Sequence, residues 1–393
     1  MPPSLVNLHL DLAATLPSDG TSGTLVGRVW RPEAKGPAVI VVRAEGVFDI
    51  SRAFPTMRDL CEAPQNVASA SGERIGDLAA ILAHTPEAAR DPAKPWLLAP
   101  IDLQAIKAAG VTFAVSLLER VIEEQARGIP EKAAQVRAEV EAALGGAVEG
   151  LKPGSPRAME LKVLLQAKSL WSQYLEVGIG PDAEIFTKAQ PMAAVGTGAA
   201  IGVLASSTWN NPEPEVVLVV NSKGAIVGAT LGNDVNLRDL EGRSALLLGK
   251  SKDNNASTAI GPFIRLFDPT FSLDDVRRAE VMLTVEGKDG FRLEGISAIA
   301  RISRDPTDLV AQMMGPHHQY PDGAVLFLGT MFAPTKDRDA PGMGFTHHEG
   351  DVVTIASEKL GALVNAVTTS ETARPWTFGT AALMRNLAGR GLL

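Results

Sequence analysis

Hydrophobic positions along the 393-residue chain change texture twice. Near the start, apolar β-branched runs are short and bounded by Gly and Pro. Thr24–Trp30 (TLVGRVW) and Ala38–Arg43 (AVIVVR) predict two strands, joined as a hairpin through a turn at residues 33–36. Residues 55–90 read as more helical, with GDLAAILAH inside them, before Pro92 and Pro95 interrupt the pattern. In residues 116–147 apolar side chains recur every three or four positions with charges between them, the mark of amphipathic helices; Pro130 splits the pattern into two. A further helix is predicted over 156–175, and from residue 177 onward β-branched runs return. VVLVV (216–220), AIVGATLG (225–232), AEVMLTVEG (279–287) and GAVLFLGT (323–330) all predict strands. The expected fold class is therefore α+β. A small N-terminal α/β domain over 1–95 would precede a β-rich catalytic domain over 96–393, which carries a helical insert at about 120–175. For that insert, packing or a subunit contact is the simplest role.

Composition removes several function classes. The chain has 45 acidic and 37 basic residues, a net charge of −8, and no Lys/Arg-rich tract, which argues against nucleic-acid binding. Its single cysteine, Cys61, excludes an internal disulfide and a thiolate metal cluster, and predicts a buried apolar thiol. No apolar run approaches the ~20 residues of a spanning helix, and the opening residues lack a secretory pattern. A cytoplasmic protein acting on a small molecule, with no nucleic-acid or membrane partner, is the expectation.

Candidate chemistry concentrates in residues 210–242. Glu213 and Glu215 sit two apart at the start of a predicted strand, so their side chains share a face. The NSKG cluster at 221–224 predicts a hairpin turn; if Lys223–Gly224 is a two-residue turn, Asp234 lies opposite Glu213. Three converging carboxylates suit a hard cation, Mg²⁺ or Mn²⁺. From spacing alone, a metal site and a set of exposed acids at strand ends account for them equally well.

The order E-x-E, hairpin, N-D-x-x-x-R-D and G-K-S (Glu213, Glu215, Asn233, Asp234, Arg238, Asp239, Gly249, Lys250, Ser251) resembles the fumarylacetoacetate hydrolase family. Further points of likeness are Gly261–Pro262, FTK at 186–188, Gly329–Thr330 and EGD at 349–351, so that the resemblance covers about residues 95–370. It implies a mixed β-roll with Mg²⁺ on Glu213, Glu215 and Asp234, and a homodimer or homotetramer. It also implies Glu119, Lys188 and Lys250 as catalytic groups, and Ser116, Arg238 and Thr330 as substrate-binding groups.

One departure bears on activity. Where the family's hydrolases carry G-x-N-Y-x-x-H-x-x-E, this chain has GVTFAVSLLE at 110–119, with Ser116 in place of the histidine. A serine hydroxyl does not replace imidazole as a base near neutral pH. The long insert and the texture of residues 177–192 resemble instead the family's bacterial sugar-acid subgroup. That implies Mg²⁺-dependent dehydration of a 2-keto-3-deoxypentonate, of the D-xylonate or D-arabinonate series, to 2,5-dioxopentanoate in pentose degradation. Hydrolysis of acylpyruvates or diketo acids is the alternative; oxaloacetate decarboxylation and metal-retaining binding without catalysis are weaker ones. The histidine pairs His317–His318 and His347–His348 read as loop residues, since adjacent side chains on a strand face opposite ways, although His347 or His348 at the site stays open. VGTGAAIG at 195–202 lacks the βαβ frame of a dinucleotide loop.

Overall fold

A computed structural model describes residues 6–140, 142, 146–148, 150–167, 171–332, 334 and 336–393. Parts of the two predicted helical stretches, residues 141, 143–145 and 168–170, lie outside the described residues.

The first strands are β1 (Leu25–Arg31), β2 (Gly36–Arg43), β3 (Gly46–Asp49), β4 (Glu73–Gly76), β5 (Trp96–Leu98) and β6 (Ala105–Gly110). After the helical insert come β7 (Glu184–Ala189), β8 (Ala200–Val203), β9 (Asn210–Asn211), β10 (Pro214–Val220), β11 (Ile226–Asp234), β12 (Asn236–Leu237) and β13 (Thr258–Leu266). The series ends with β14 (Glu280–Glu286), β15 (Arg292–Ala298), β16 (Ala324–Phe327), β17 (Val352–Ser357) and β18 (Gly361–Thr369). An eleven-stranded sheet runs β4-β3-β2-β1-β13-β11-β10-β16-β6-β7, with β5 also paired to β1. A second sheet runs β15-β14-β17-β18-β8, and β9 and β12 form a short ribbon.

The predicted N-terminal hairpin forms, with Leu25 opposite Val42 and Trp30 opposite Pro37. Its strands do not stand apart from the rest: β1 pairs antiparallel with β13, Leu25 against Arg265. The 1–95 stretch thus extends the sheet that carries the candidate carboxylates. All seven residues of β10 are buried, which is why VVLVV is apolar without alternation: both faces of this strand are covered. Residues 55–90 are less helical than their alanines suggest. They form the short α-helices Met57–Glu62 and Leu78–Ala83, with β4 between them, and the single 3-10 turns Pro64–Asn66 and Glu87–Ala89.

In the insert, Ala114–Ala126 and Pro130–Val140 are separate helices, with Pro130 opening the second. Proline lacks the amide that a helix interior needs but suits a first turn. Helices Pro156–Ala167 and Gln173–Ile179 follow. Leu117, Val121, Ile122, Leu165, Leu175 and Ile179 make this insert's own apolar cluster. Cys61 is a buried thiol whose pKa burial drives far up, as its apolar setting predicts. Among the described residues no helix is long and apolar enough to cross a membrane.

Candidate active site

The E-x-E carboxylates meet Asp234 through the register of one hairpin. Pro214 pairs with Asn233 and Glu215 with Gly232, and the Asp234 amide donates to the Glu213 carbonyl at 3.1 Å. The loop is longer than two residues: the Asn221 side chain accepts from the amides of Lys223 and Ala225, both at 3.0 Å. A bulge at Val219/Val220 absorbs the extra residue, so the register at the far end is the one the two-residue turn required. One oxygen from each of Glu213, Glu215 and Asp234 lies within 4.8 Å of the others.

The surroundings hold these acids unequally. Burial pushes Glu213 up to about 7, against the pull of Lys252 and Arg120. Burial also raises Glu215 far above the usual range, and the charges of Asp234 and Glu213 add to it; the Gly329 amide, donating at 2.6 Å, and the charge of Lys252 pull the other way. Gly329 has φ +84°, a conformation that glycine adopts without strain, and a Cβ there would run into the Thr112 hydroxyl. Asp234 is opposed by burial as well, yet Lys188 and Lys252 hold it below the ordinary range. Two carboxylates made reluctant to ionise by burial and by neighbouring acids, with hard oxygen donors on one face, fit a divalent cation.

Two lysines are placed by different elements. Lys188 on β7 is wholly buried and reaches Asp234 Oδ1 at 3.0 Å and the Lys252 carbonyl at 3.0 Å, so it backs the carboxylate from behind the cavity. Lys252 lies 3.1 Å from Asp234, 3.4 Å from Glu213 and 3.1 Å from Glu241, and lines the cavity. Lys250, the lysine expected from the G-K-S pattern, is exposed and does not line the cavity. Two residues along a helix turn a side chain by about 200°, so Leu248–Lys252 can aim only one of the two lysines inward.

The insert helix Ala114–Ala126 covers the site. Ser116 lines the cavity, its hydroxyl bonded to the Phe113 amide (3.3 Å) and carbonyl (3.0 Å). Glu119 was expected to act as acid or base. The structure instead commits its oxygens to Arg137 and to Arg238 Nη2 at 2.9 Å, outside the cavity lining. Arg238, expected on substrate, is likewise engaged elsewhere. It donates to Glu123 at 2.6 Å and to the Pro334 carbonyl at 3.2 Å, and lies 4.3 Å from the Trp209 ring centre. Thr330 lines the cavity beside Gly329.

Three charged residues not singled out by the sequence complete the lining. Arg120 bridges Glu213 (3.1 Å), Glu123 (2.8 Å) and Glu241 (2.7 Å). Glu241 anchors both Arg120 and Lys252. Glu184 faces the cavity from β7; burial raises its pKa, and among the described residues it makes no ion pair within 4 Å. Its space exists because position 110 is glycine, where a Cβ would collide with its carboxylate. The signal for Glu184 was present in EIFTK: residues 184, 186 and 188 alternate on one face of a strand. The histidines play no part in this lining; His347 is buried against Asp351 at 3.3 Å and His348 contacts Asp339 at 3.0 Å.

Residues 166–368 match the C-terminal region of the fumarylacetoacetate (FAA) hydrolases. A probable 2-keto-3-deoxyxylonate dehydratase of Haloferax volcanii is 32% identical over 204 residues, 52% of this chain and 66% of that one. A 2-dehydro-3-deoxy-D-arabinonate dehydratase of Saccharolobus solfataricus is 34% identical over 187 residues, 47% of this chain and 58% of that one. The match therefore spans less than two thirds of either relative. Among solved structures, 2-keto-3-deoxyarabinonate dehydratase in a hexagonal crystal form shares the fold with a TM-score of 0.62 at 20% identity, covering 88% of this chain and 99% of that one. The 2-keto-3-deoxy-D-arabinonate dehydratase complexed with magnesium and 2,5-dioxopentanoate has a TM-score of 0.60 at 20% identity, with the same coverage. With the family match spanning over half its length and its acidic triad on one hairpin, this chain belongs to the fumarylacetoacetate hydrolase family.

Proposed function

We propose that the protein is a Mg²⁺-dependent dehydratase that converts a 2-keto-3-deoxypentonate to 2,5-dioxopentanoate and water. The observation that carries this reading is the convergence of Glu213, Glu215 and Asp234 beside Lys252 and Glu184, the latter without an ion pair among the described residues, in one cavity. The two curated relatives named above as dehydratases, and the magnesium complex of the third protein, support it.

The three carboxylates would hold the cation, which when bound supplies Lewis acidity to the C1 carboxylate and C2 carbonyl and so acidifies the C3 protons. Dehydration removes a C3 proton, expels the C4 hydroxyl as water, and returns a C5 proton to C3; the resulting enol tautomerises to the C5 aldehyde. Glu184 is the cavity acid with the freedom to exchange protons, because burial favours its protonated form and, among the described residues, Arg120 and Lys252 act on it without pairing with it. Lys252 is held protonated by Asp234, Glu213 and Glu241 despite its burial. Its role is that of a fixed positive charge and donor toward the departing hydroxyl or the substrate carboxylate. Arg120 and Thr330 supply donors on the cavity wall. Lys188 orients Asp234. The hydrolase alternative lacks its histidine: among the described residues lining this cavity there is none.

One panel tests the reading. With Mg²⁺, 2-keto-3-deoxypentonates of both C4 configurations and an acylpyruvate are offered, and aldehyde formation and C–C cleavage are followed. Aldehyde from one of the pentonates is the expected result; acylpyruvate cleavage without aldehyde from either pentonate would overturn it.

A further inference from the structure

We infer that a second cavity, sharing no lining residue with the first, binds a small planar organic anion. It measures about 470 Å³ and lies where β1 and β5 meet residues 192–200 and the C-terminal segment around Arg374–Phe378. That volume is within the usual range for small-molecule sites.

Its apolar side is aromatic. Trp30 and Trp96 are register partners of β1 and β5, and their rings stack with centroids 5.9 Å apart and 17° between planes. Phe378 meets Trp30 edge-on at 5.3 Å. Trp376, about half exposed, stands at the same opening.

Its polar side is basic in a protein of net charge −8: Arg28, Arg90, Arg374 and Lys35 against one acid, Glu87. Other buried arginines are neutralised directly. Arg120, Arg238, Arg265 and Arg338 each pair with at least one carboxylate. The buried Arg28 and the half-buried Arg90 make no such pair among the described residues. Arg28 is buried and donates only to the carbonyls of Ala99 (3.4 Å) and Ile101. Arg90 lies 4.9 Å from the Trp96 ring centre and donates to the Thr85 carbonyl at 2.9 Å, while its Nε is buried without a partner. Burial lowers the pKa of both, that of Arg90 to about 10. Asp102 and Glu87 offset the charges of Arg28 and Arg90 only from beyond ion-pair distance; weakly compensated guanidinium charge away from water is costly, and here both instances line one cavity. A ring-bearing oxyanion supplies what is missing on each side: a flat face for the indoles and acceptors for the guanidiniums.

The probes are AMP, benzoate, uncharged benzamide and inorganic phosphate, titrated into the full chain by calorimetry and tryptophan fluorescence. We expect saturable binding of AMP or benzoate, with benzamide and phosphate at least tenfold weaker. Arg90→Gln should weaken binding by about 10- to 100-fold, the scale of one charge-assisted hydrogen bond. Arg374→Gln, at an exposed position, should weaken it without touching the fold. AMP separates a phosphate ligand from the carboxylate that benzoate represents. The inference is overturned if neither anion binds, if both substitutions leave binding unchanged, or if benzamide or phosphate binds as tightly as the ring-bearing anions. It is equally overturned if no probe binds and light scattering shows an oligomer that Trp376→Ala dissociates, which would assign the cavity to a subunit contact.

Discussion

The ammonium of Lys252 stands 3.1 Å from Asp234 Oδ1, the same oxygen that Lys188 approaches at 3.0 Å from the other side. One carboxylate oxygen is thus gripped by two lysines, only one of which faces the cavity. Lys252→Met should lower kcat for aldehyde formation by about 100-fold or more, the range for removing a positioned proton-transfer or charge-stabilising group. Lys250→Met should leave it within about twofold, since an exposed lysine outside the cavity touches nothing that reacts. A large loss in Lys250→Met would place the working lysine where the G-K-S resemblance put it.

Glu184 and Glu119 are expected to separate chemistry from architecture. Glu184→Gln keeps the shape and removes the titrating group, so kcat should fall by about 100- to 10,000-fold with the melting temperature little changed. Glu119→Gln removes one carboxylate shared by Arg137 and Arg238, with Arg238 keeping Glu123. It should lower stability by about 3–5 kcal/mol, with the larger effect in denaturant titration. The reverse assignment of effects would restore Glu119 as the acid.

Arg120 joins Glu213, Glu123 and Glu241 across three segments of chain. Arg120→Ala takes one of two cationic partners from each of these acids, leaving Lys252 to Glu213 and Glu241 and Arg238 to Glu123, and should destabilise by about 3 kcal/mol in urea unfolding. Arg120→Lys, which retains the charge but not the fork, should recover only part of that.

Metal dependence has a readout that needs no substrate. Mg²⁺ at about 100 times its dissociation constant should stabilise the protein by about 2.7 kcal/mol, seen as a raised melting temperature. Glu215→Gln should abolish that rise, and a chelator should reverse it in the unsubstituted chain. A rise that survives Glu215→Gln would move the cation elsewhere.

Acid sensitivity should have a component from His347, whose ring is buried and whose pKa burial lowers from 6.5, the Asp351 contact offsetting part of this. Below 6.5 the unfolded chain takes up a proton that the folded one refuses, so stability falls with pH from there down to the folded value. Asp351, opposed by burial but held low by His347 and Arg338, contributes stability that is lost at more acidic pH, as its carboxylate protonates. His347→Gln should flatten the melting-temperature profile just below pH 6.5.

Much of this site was legible in the residue order, because a strand's period of two is a strong constraint. Glu213 and Glu215 share a face by that rule, and the hairpin brought Asp234 opposite even though a bulge replaced the tight turn. The insert's helices followed from apolar spacing and Pro130. The charged lining was less legible, since which lysine of G-K-S-K points inward depends on where a five-residue helix begins. Arg120 and Glu241 acquire meaning only when distant segments meet. Glu119 and Arg238 satisfied the motif and turned out to be partners of each other.

The β1–β13 pairing bears on how this protein can be cut and rebuilt. Leu25 and Val26 donate their strand to a neighbour whose far end, at Thr258, pairs with Asp234. Deleting the N-terminal strands would strip one side of β13 and leave unpaired amides and carbonyls one strand from the acidic triad, a template for adhesion between copies. A domain graft or fusion that treats residues 1–95 as an exchangeable module would thus have to supply a new partner for β13, whereas one that carries β1 to β4 along keeps that edge covered.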